Sequence, residues 1–272
     1  MYRTFKVNSK QALRQRTGTD GYQPKFLVDE GKYFLKVQCK LSGEYMDDWR
    51  VENIASRVGT SLGFNIIKQN PCNVILTEGR FERQLKGVYS VNFEQLGLKY
   101  RSFESIVNTV GIETKRNEAF IKMSNTDKMR WMASLIAKTT FITYNEYLDY
   151  LIKTAIIDII VGNADRHTRN FGVVFNSNTQ KDEIAPIFDC GMGLFEHDIW
   201  IKHNADFETA LSQLYIEPYS EDPIRLLHDI DKDFGIKSKL RKNLYKLDIS
   251  PNIFPSKKAY KYYKLILKEL GC

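Results

Sequence analysis

The sequence predicts an α+β fold built as two lobes with a cleft between them. Residues 1–100 are rich in short β-branched and aromatic runs and contain one helical pattern, whereas residues 101–272 show mainly helical spacing of apolar residues. Neither an internal repeat nor a long glycine- or proline-rich linker divides the chain. We therefore expect a strand-rich N-lobe over residues 1–100 and a helical C-lobe with one short hairpin over residues 101–272.

The N-lobe prediction starts from a β-hairpin. The segments PKFLV and KYFLKVQ flank the turn at residues 29–31, whose Asp-Glu-Gly sequence is typical of a hairpin turn. Apolar side chains then recur at helical spacing over residues 47–62, and Gly63 follows as a stop signal. Two more strands are predicted over residues 73–77 and 86–91.

In the C-lobe, helical patterns dominate. One helix is predicted over residues 126–138, and a longer one begins at Thr143, which forms a capping-box motif with Glu146. The apolar face of this second helix is wide, so we expect it to be buried. Two short strands, GVVF at residues 172–175 and EIAPIF at residues 183–188, are expected to form the hairpin.

Composition narrows the class of protein. The chain has 272 residues, of which 43% are hydrophobic and 27% charged, so a folded core is expected and disorder is excluded. No run approaches the roughly 20 apolar residues of a transmembrane helix, and the N-terminus lacks the apolar core of a cleavable signal. We predict a cytoplasmic protein, with secretion by a route that needs no cleavable signal left open. The cysteines are too dispersed for a disulfide framework or a zinc site: Cys39, Cys72, Cys190 and Cys272.

The formal net charge is +7, and it is concentrated near the C-terminus. Residues 231–272 contain 11 Lys and Arg against 4 Asp and Glu. Such a basic tail is compatible with an acidic protein partner, with nucleic acid or with an anionic membrane surface. It is equally compatible with solvated helix faces that bind no partner.

A polar loop between the long apolar helix and the GVVF strand carries residues at an informative spacing. In GNADRHTRN, Asp165 is followed five residues later by Asn170, and Asp189 follows the second strand. Phosphoryl transfer needs one carboxylate beside the attacking hydroxyl, and a second carboxylate with a neutral oxygen to hold Mg²⁺. The spacing therefore predicts a kinase-like catalytic centre. Each residue alone is also compatible with a turn or a cap, so the prediction depends on their conjunction.

A candidate lysine lies in the predicted strand YFLKV. Lys36 alternates with apolar neighbours, so it is directed to the opposite face of the strand and needs a partner there. Glu52 in the following helix is the natural candidate, because kinases hold a strand lysine on the nucleotide phosphates with a helix glutamate. We therefore assign Lys36 and Glu52 to the catalytic set, and Lys36 also to ATP binding. The alternative is a solvent-facing lysine and an unrelated surface glutamate.

Residues 17–25, TGTDGYQPK, are a weaker candidate for a phosphate-binding loop. Gly18 and Gly21 would expose backbone N–H groups to phosphate, and Gln23 and Lys25 follow them. The segment matches neither a GxGxxG pattern nor a Walker loop.

These residues resemble the HipA-like family of bacterial serine/threonine kinases over about residues 17–195. The resemblance implies a two-lobed protein-kinase-like fold with ATP and Mg²⁺ as cofactors. It rests on the following motifs: Gly21-x-Gln23-x-Lys25, Lys36 in YFLKV, Glu52 before Gly63, Asn163-x-Asp165-x-His167-x-x-Asn170 and Ala185-Pro186-x-x-Asp189.

The resemblance also implies roles for single residues. Asp165 is expected to be the catalytic base, whereas Asn170 and Asp189 are expected to bind Mg²⁺ and, through it, the nucleotide. Lys36 is expected to contact the ATP phosphates, with Gly18, Gly21, Gln23 and Lys25 in the nucleotide-binding loop. Thr17 and Thr19 fall near the flexible loop that the family autophosphorylates, which makes them candidate autophosphorylation sites.

The chain resembles short members of the family, of the CtkA type, because only about 15 residues precede the phosphate-binding loop. Full-length HipA toxins carry an N-terminal subdomain there. We therefore expect either a kinase without that subdomain or one whose partner is a small protein, similar to the missing subdomain or to an antitoxin.

Three functions remain open on the sequence. The leading hypothesis is an ATP-dependent serine/threonine protein kinase that also autophosphorylates. A lipid or small-molecule kinase is the alternative, because the catalytic loop of phosphatidylinositol kinases contains a similar Asp-Arg-His-x-x-Asn motif. An inactive kinase-like scaffold is the third hypothesis. The protein substrate is not identified by the sequence.

Overall fold

The computed structural model describes residues 2–13, 23–111, 118–220, 222–247 and 249–271. The strands in these ranges are β1 (Arg3–Asn8), β2 (Lys25–Val28), β3 (Tyr33–Val37), β4 (Lys40–Leu41), β5 (Glu44–Tyr45), β6 (Asn70–Glu78), β7 (Phe81–Val91), β8 (Leu98–Ser102), β9 (Gly172–Asn176) and β10 (Lys181–Ile184). The helices are α1 (Asp48–Leu62), α2 (Phe103–Thr109), α3 (Glu118–Lys122), α4 (Asn125–Thr139), α5 (Tyr144–Val161), α6 (Ile199–His203), α7 (Phe207–Ser212), α8 (Pro223–Phe234), α9 (Ile236–Leu244) and α10 (Lys257–Glu269).

The larger sheet has five strands in the order β1-β6-β7-β3-β2. β1 runs parallel to β6, and the other neighbouring strands are antiparallel. One face of the sheet buries an apolar core that includes Phe26, Leu35 and Val74. Because side chains alternate along a strand, Lys36 is directed to the other face, toward α1. The predicted β2–β3 hairpin is confirmed, whereas β1 was not predicted.

α1 connects the sheet to the helical part of the molecule. Its apolar stripe, including Val51, Ile54 and Val58, is buried in the core formed by the later helices. The helix ends where the sequence predicts, because Gly63 adopts a left-handed conformation with φ of 76°. Burying each of these aliphatic side chains contributes about 1.5–3 kcal/mol relative to exposure, so α1 is firmly anchored to the helical part.

α5 is the central helix of that core. The predicted capping box is confirmed, since the Glu146 N–H donates to Thr143 Oγ1 at 3.3 Å and Glu146 Oε2 accepts from the Thr143 N–H at 2.9 Å. Ile156, Ile157 and Ile160 are buried on several sides of the helix, as its wide apolar face predicts.

The short hairpin differs from the prediction in two ways. First, β8 adds a third strand, giving the order β10-β9-β8. Second, the strand predicted over residues 183–188 is wrong beyond Ile184, where β10 ends. Pro186 has no N–H to donate to a ladder, and Ile187 pairs elsewhere: its N–H donates to Asn65 O at 2.8 Å, and its carbonyl accepts from the Ile67 N–H at 2.9 Å. This short pairing links the segment before Asp189 to the chain that follows α1.

Part of the basic tail has a structural role. Lys258 Nζ donates to the carbonyls of Ile201, at 2.6 Å, and Ala205. Lys261 Nζ lies 3.7 Å from a carboxylate oxygen of Glu208. Lys258 therefore holds α10 against the α6–α7 region, whereas the exposed Lys261–Glu208 pair contributes little. None of the helices in the described ranges is both long and apolar enough to cross a bilayer.

Candidate active site

The polar loop at residues 163–170 starts where α5 ends. Gly162 closes the helix with φ of 56°, in the left-handed region. A Cβ atom at this position would lie 3.0 Å from Leu214 and 3.1 Å from Tyr262, so any other residue would require these side chains to shift as well as a strained backbone. The Asn163 N–H donates to Asp158 O at 2.9 Å, and Asn163 Oδ1 accepts from the Asp165 N–H at 3.3 Å. The loop is thereby fixed to the end of α5.

The buried side chain of Arg166 holds this loop in place. Its side chain is only 1% exposed and forms a bidentate ion pair with Asp158. The distances from Nε to Oδ2 and from Nη2 to Oδ1 are both 2.9 Å. Arg166 Nη1 also donates to Asn170 O at 2.9 Å and to Phe188 O at 2.6 Å. One buried guanidinium therefore connects the loop to the residue just before Asp189.

Asp165 is the carboxylate of the loop that is partly open to solvent. Burial raises the pKa of Asp165 to about 6, and the negative charges of Asp189 and Glu217 add to this increase. Arg166 and Arg169 oppose it. A carboxyl group with a pKa near neutral can accept a proton and release it again at physiological pH, as a general base must.

Asn170 is only 2% exposed, and the nitrogen and the oxygen of its side-chain amide have different surroundings. Asn170 Nδ2 donates to Asp165 O at 3.1 Å, which orients the side chain. Asn170 Oδ1 is buried and has no hydrogen-bond partner among the described residues. A buried carbonyl oxygen without a donor costs free energy unless a ligand satisfies it, and a cation is a suitable one.

Asp189 occupies an unusual backbone conformation for a residue with a side chain, with φ of 60°. Lys36 Nζ donates to Asp189 Oδ1 at 2.6 Å, and Lys25 Nζ lies 3.6 Å from Oδ2. Burial alone would raise the pKa of Asp189, but these two ammonium groups outweigh burial and hold it well below its usual range. The carboxyl group is therefore ionised at neutral pH.

Asp189 and Asn170 fit Mg²⁺ as a donor set. Both offer hard oxygen atoms, which this ion prefers, and proteins usually supply it with only one or two carboxylates while water and phosphate complete the shell. The described residues contain no cluster of three or more His, Cys, Asp and Glu side chains that would suit a softer or fully protein-bound metal. Asn170 Oδ1 and the Asp189 carboxylate are therefore a donor set that fits Mg²⁺.

Lys36 and Glu52, the pair expected from the sequence, are brought together. Lys36 is 4% exposed, and its ammonium group donates to Glu52 Oε1 as well as to Asp189. Burial would lower the pKa of Lys36, but the charges of Asp189 and Glu52 outweigh it and raise the pKa above its usual value. The lysine therefore stays charged. The pKa of Lys25 is lowered instead, because burial outweighs the attraction of Asp189.

A cleft lies beside these charges. Its walls include Lys25, Lys36 and Asp189. They are completed by side chains of β3, of β8, of the chain after α1, of the end of β7 and of the segment before Asp189, among them Phe34, Tyr100, Ile67, Ser90, Asn92 and Phe188. Gln23 does not line it and is buried near Asp48. Gly18, Gly21, Thr17 and Thr19, the other residues expected in the phosphate-binding loop or as autophosphorylation sites, lie outside the described residues.

Some residues of the site were missed by sequence reasoning. Asp158 interrupts the apolar run IIDII of α5, and a single charge on a buried helix face indicates a buried partner. That signal, read together with Arg166, could have found the pair. Tyr100 was also missed: it lines the cleft, and its hydroxyl donates to Arg169 O at 2.9 Å.

The segment after Asp189 needs a glycine for steric reasons. A Cβ atom on Gly193 would lie 2.3 Å from the carbonyl oxygen of Val161, which no side chain could tolerate. The N–H of Leu194 donates to the same carbonyl at 2.7 Å. The chain that follows Asp189 is thus packed directly against the end of α5.

The fold and this site define a kinase-like protein, and the family is identified by its sequence profile. Residues 17–238 match the HipA-like C-terminal domain, so the chain belongs to that family. Its structure is similar to the crystal structure of the proinflammatory kinase CtkA of Helicobacter pylori, with a TM-score of 0.58 and 19% identity, over 99% of this chain and 94% of that chain. This similarity confirms the predicted two-lobed, kinase-like α+β fold.

Two further comparisons are more limited. The serine/threonine-protein kinase CtkA of Helicobacter pylori strain J99 is 48% identical over 40 residues, which are 15% of this chain and 12% of that protein. HipA of Shewanella oneidensis MR-1, solved with HipB and its operator DNA, gives a TM-score of 0.48 and 14% identity over 96% of this chain and 64% of that chain.

Proposed function

We propose that this chain is a serine/threonine protein kinase that transfers the γ-phosphate of Mg-ATP to a protein hydroxyl. The observation that carries the proposal is the convergence of Asp165, Asn170 Oδ1 and Asp189 beside the buried Lys36–Glu52 pair. Membership of the HipA-like family and the local identity with a serine/threonine kinase support a protein as the acceptor.

Asn170 Oδ1 and the Asp189 carboxylate would hold Mg²⁺. When bound, the ion would neutralise negative charge on the nucleotide phosphates during transfer. Asp189 is ionised, as this role requires, and Asn170 is oriented for it by its hydrogen bond to Asp165 O.

Lys36 would contact the α and β phosphates of ATP. The Glu52 carboxylate holds the ammonium group in place, and the ion pair with Asp189 directs it toward the metal-binding residues. Lys25 lies within the same charge cluster and provides a second cation for the phosphates. These positive charges bind and orient the triphosphate before the reaction begins.

Asp165 would act on the acceptor hydroxyl. The hydroxyl oxygen forms a bond to the γ-phosphorus while the bond from this phosphorus to the β–γ bridging oxygen breaks, and ADP leaves. The hydroxyl proton passes to the Asp165 carboxylate, which has a raised pKa of about 6 and so holds the proton more readily than an exposed aspartate does.

The proposal is tested by transfer of radiolabelled γ-phosphate from Mg-ATP, with protein and phosphoinositide acceptors in parallel. We expect label on protein, with Asp165→Asn and Asp189→Asn each lowering transfer by roughly a hundredfold or more. Asp149→Asn is the matched control, because Asp149 is an exposed residue of α5 that pairs only with Lys153 among the described residues. Label on lipid alone would favour the phosphatidylinositol-kinase-like alternative, and no label on any acceptor would favour an inactive scaffold.

Autophosphorylation of Thr17 or Thr19 is part of the same proposal, based on the family resemblance. Intact-mass spectrometry after incubation with Mg-ATP should show an added phosphate on the wild-type chain. The added mass should be absent from the Asp165→Asn variant and from a Thr17→Ala, Thr19→Ala double variant. An unchanged phosphate count in the double variant would assign the modification to another residue.

A further inference from the structure

A second cavity borders the catalytic loop and takes no part in the proposed binding of the nucleotide. This groove has a volume of about 730 Å³. It begins at His167 and Thr168 of the loop, passes the turn that contains Glu217, and reaches Ile121 of α3. The nucleotide cleft is lined by Lys36 and Asp189 and shares no residue with it among those described.

Glu217 brings a negative charge close to the catalytic loop. Glu217 and Tyr215 line the groove together with His167, whose N–H donates to Asp165 O at 3.0 Å, so the Glu217 carboxylate shares the groove with the catalytic loop. Glu217 is exposed and forms no ion pair or hydrogen bond with any residue that the structure describes. An exposed carboxylate in the wall of a groove favours a positively charged ligand.

The turn that carries Glu217 is held in place by several hydrogen bonds. The Ile216 N–H donates to Ser220 O at 2.7 Å, and the Ser220 N–H donates back to Ile216 O at 3.0 Å. Lys128 Nζ donates to the carbonyls of Pro218, at 3.2 Å, and Tyr219, at 3.3 Å. The ammonium group of Lys128 thus binds the backbone of the turn, and these hydrogen bonds help to fix the position of Glu217.

The groove also offers apolar surface. Ile121 is 60% exposed and Tyr215 is 39% exposed, although both are large hydrophobic side chains. Exposed apolar side chains that line a groove beside charged ones are typical of sites that bind an extended protein segment. A lipid headgroup, which is anionic, would be repelled by the Asp165 and Glu217 carboxylates.

From this arrangement we infer that the groove binds the acceptor segment of the protein substrate and prefers arginine or lysine close to the accepting hydroxyl. The basic side chain would pair with Glu217, while an apolar side chain further along the segment would contact Ile121 and Tyr215. The inference rests on the proposed kinase function, because an acceptor hydroxyl must lie beside the catalytic loop, which this groove borders.

Binding of short fluorescent peptides, followed by anisotropy, tests the inference without requiring turnover. Each peptide carries one central serine, flanked by arginines in the first, by glutamates in the second and by alanines in the third. We expect the arginine peptide to bind about tenfold more tightly than the glutamate peptide, and this preference should weaken as salt is added. Equal affinity for the three peptides would overturn the inference.

Variants of Glu217 test whether this residue causes the preference for the arginine peptide. Glu217→Gln keeps the size of the side chain and should weaken the arginine peptide by roughly three- to tenfold, and Glu217→Lys should reverse the preference. Glu82→Gln is the matched control, since Glu82 is exposed on β7, outside both cavities. An unchanged affinity of a folded Glu217→Gln variant for the arginine peptide would contradict the assignment of Glu217 as the partner of the basic side chain. This variant tests the assignment even if Glu217→Lys does not fold.

Phosphate transfer measured on the same samples separates the two proposals. Transfer that depends neither on peptide charge nor on Glu217 would overturn the groove assignment and leave the proposed kinase function standing. Charge-dependent binding of the peptides with no transfer to any acceptor would contradict the kinase function and leave the peptide-binding groove standing.

Discussion

Arg166 and Asp158 form a fully buried ion pair with two hydrogen bonds of 2.9 Å each. The pair connects the last turns of α5 to the loop of Asp165, and Arg166 extends the connection to Phe188, next to Asp189. The backbone next to each of the two carboxylates assigned to catalysis and metal binding is thus held by one guanidinium, which among the described residues donates a hydrogen bond to neither carboxylate. We regard Arg166 as a positioning residue.

Breaking this pair should be costly. Asp158→Ala leaves the Arg166 charge buried without its partner, so we expect the free energy of unfolding to fall by about 3–5 kcal/mol. Denaturant unfolding monitored by circular dichroism gives the value. Asp149→Ala removes one side of the exposed Asp149–Lys153 pair on the same helix and should cost less than about 1 kcal/mol. Similar losses in the two variants would show that burial of the Arg166–Asp158 pair is unimportant.

The unpartnered Asn170 Oδ1 predicts a metal-dependent effect. Asn170→Ala should weaken binding of Mg-ATP by roughly tenfold, while binding of ATP in the presence of EDTA should change little. Calorimetric titration of both forms of the nucleotide measures the difference. If the variant weakens ATP to the same extent with and without Mg²⁺, Asn170 supports the loop rather than the metal.

The pKa of Asp165, raised to about 6 by burial and by neighbouring carboxylates, predicts the pH profile. A general base must be deprotonated to work, so kcat/KM should rise with pH through a midpoint near 6 and fall as the pH drops below it. Because Glu217 raises this pKa, Glu217→Gln should move the midpoint to lower pH. A midpoint that stays in place in this variant would contradict the electrostatic coupling of the two residues.

Lys36 and Glu52 should behave as one unit. Lys36→Met removes the cation that holds the nucleotide phosphates, and we expect transfer to fall by about a hundredfold or more. Glu52→Gln should also lower transfer, but the double variant should lose little beyond Lys36→Met, because the glutamate acts through the lysine. Additive losses in kcat/KM would contradict this coupling.

Local sequence patterns predicted the elements that position the site. The β2–β3 hairpin, α1 with its Gly63 stop, and the capped α5 follow from turn chemistry, spacing and capping within short windows. The Lys36–Glu52 contact was also foreseen, because a charge in an apolar strand demands a partner and one helix follows that strand.

The remaining features depend on contacts between distant parts of the chain. β1 pairs with β6 across more than sixty residues, and no local pattern encodes that partner. Ile187 leaves the hairpin to pair beside Ile66, so the predicted strand ends early. The Arg166–Asp158 pair and the groove that Glu217 lines with His167 likewise exist only once the helices have packed.

The most direct test of the account compares binding with turnover in Asp165→Asn. The variant should bind Mg-ATP with an affinity close to that of the wild-type chain, because Asp165 acts on the acceptor and not on the nucleotide. Transfer of labelled γ-phosphate to protein should fall by about a hundredfold or more. Transfer at the wild-type rate by a variant that still binds Mg-ATP would contradict the assignment of Asp165 as the catalytic base.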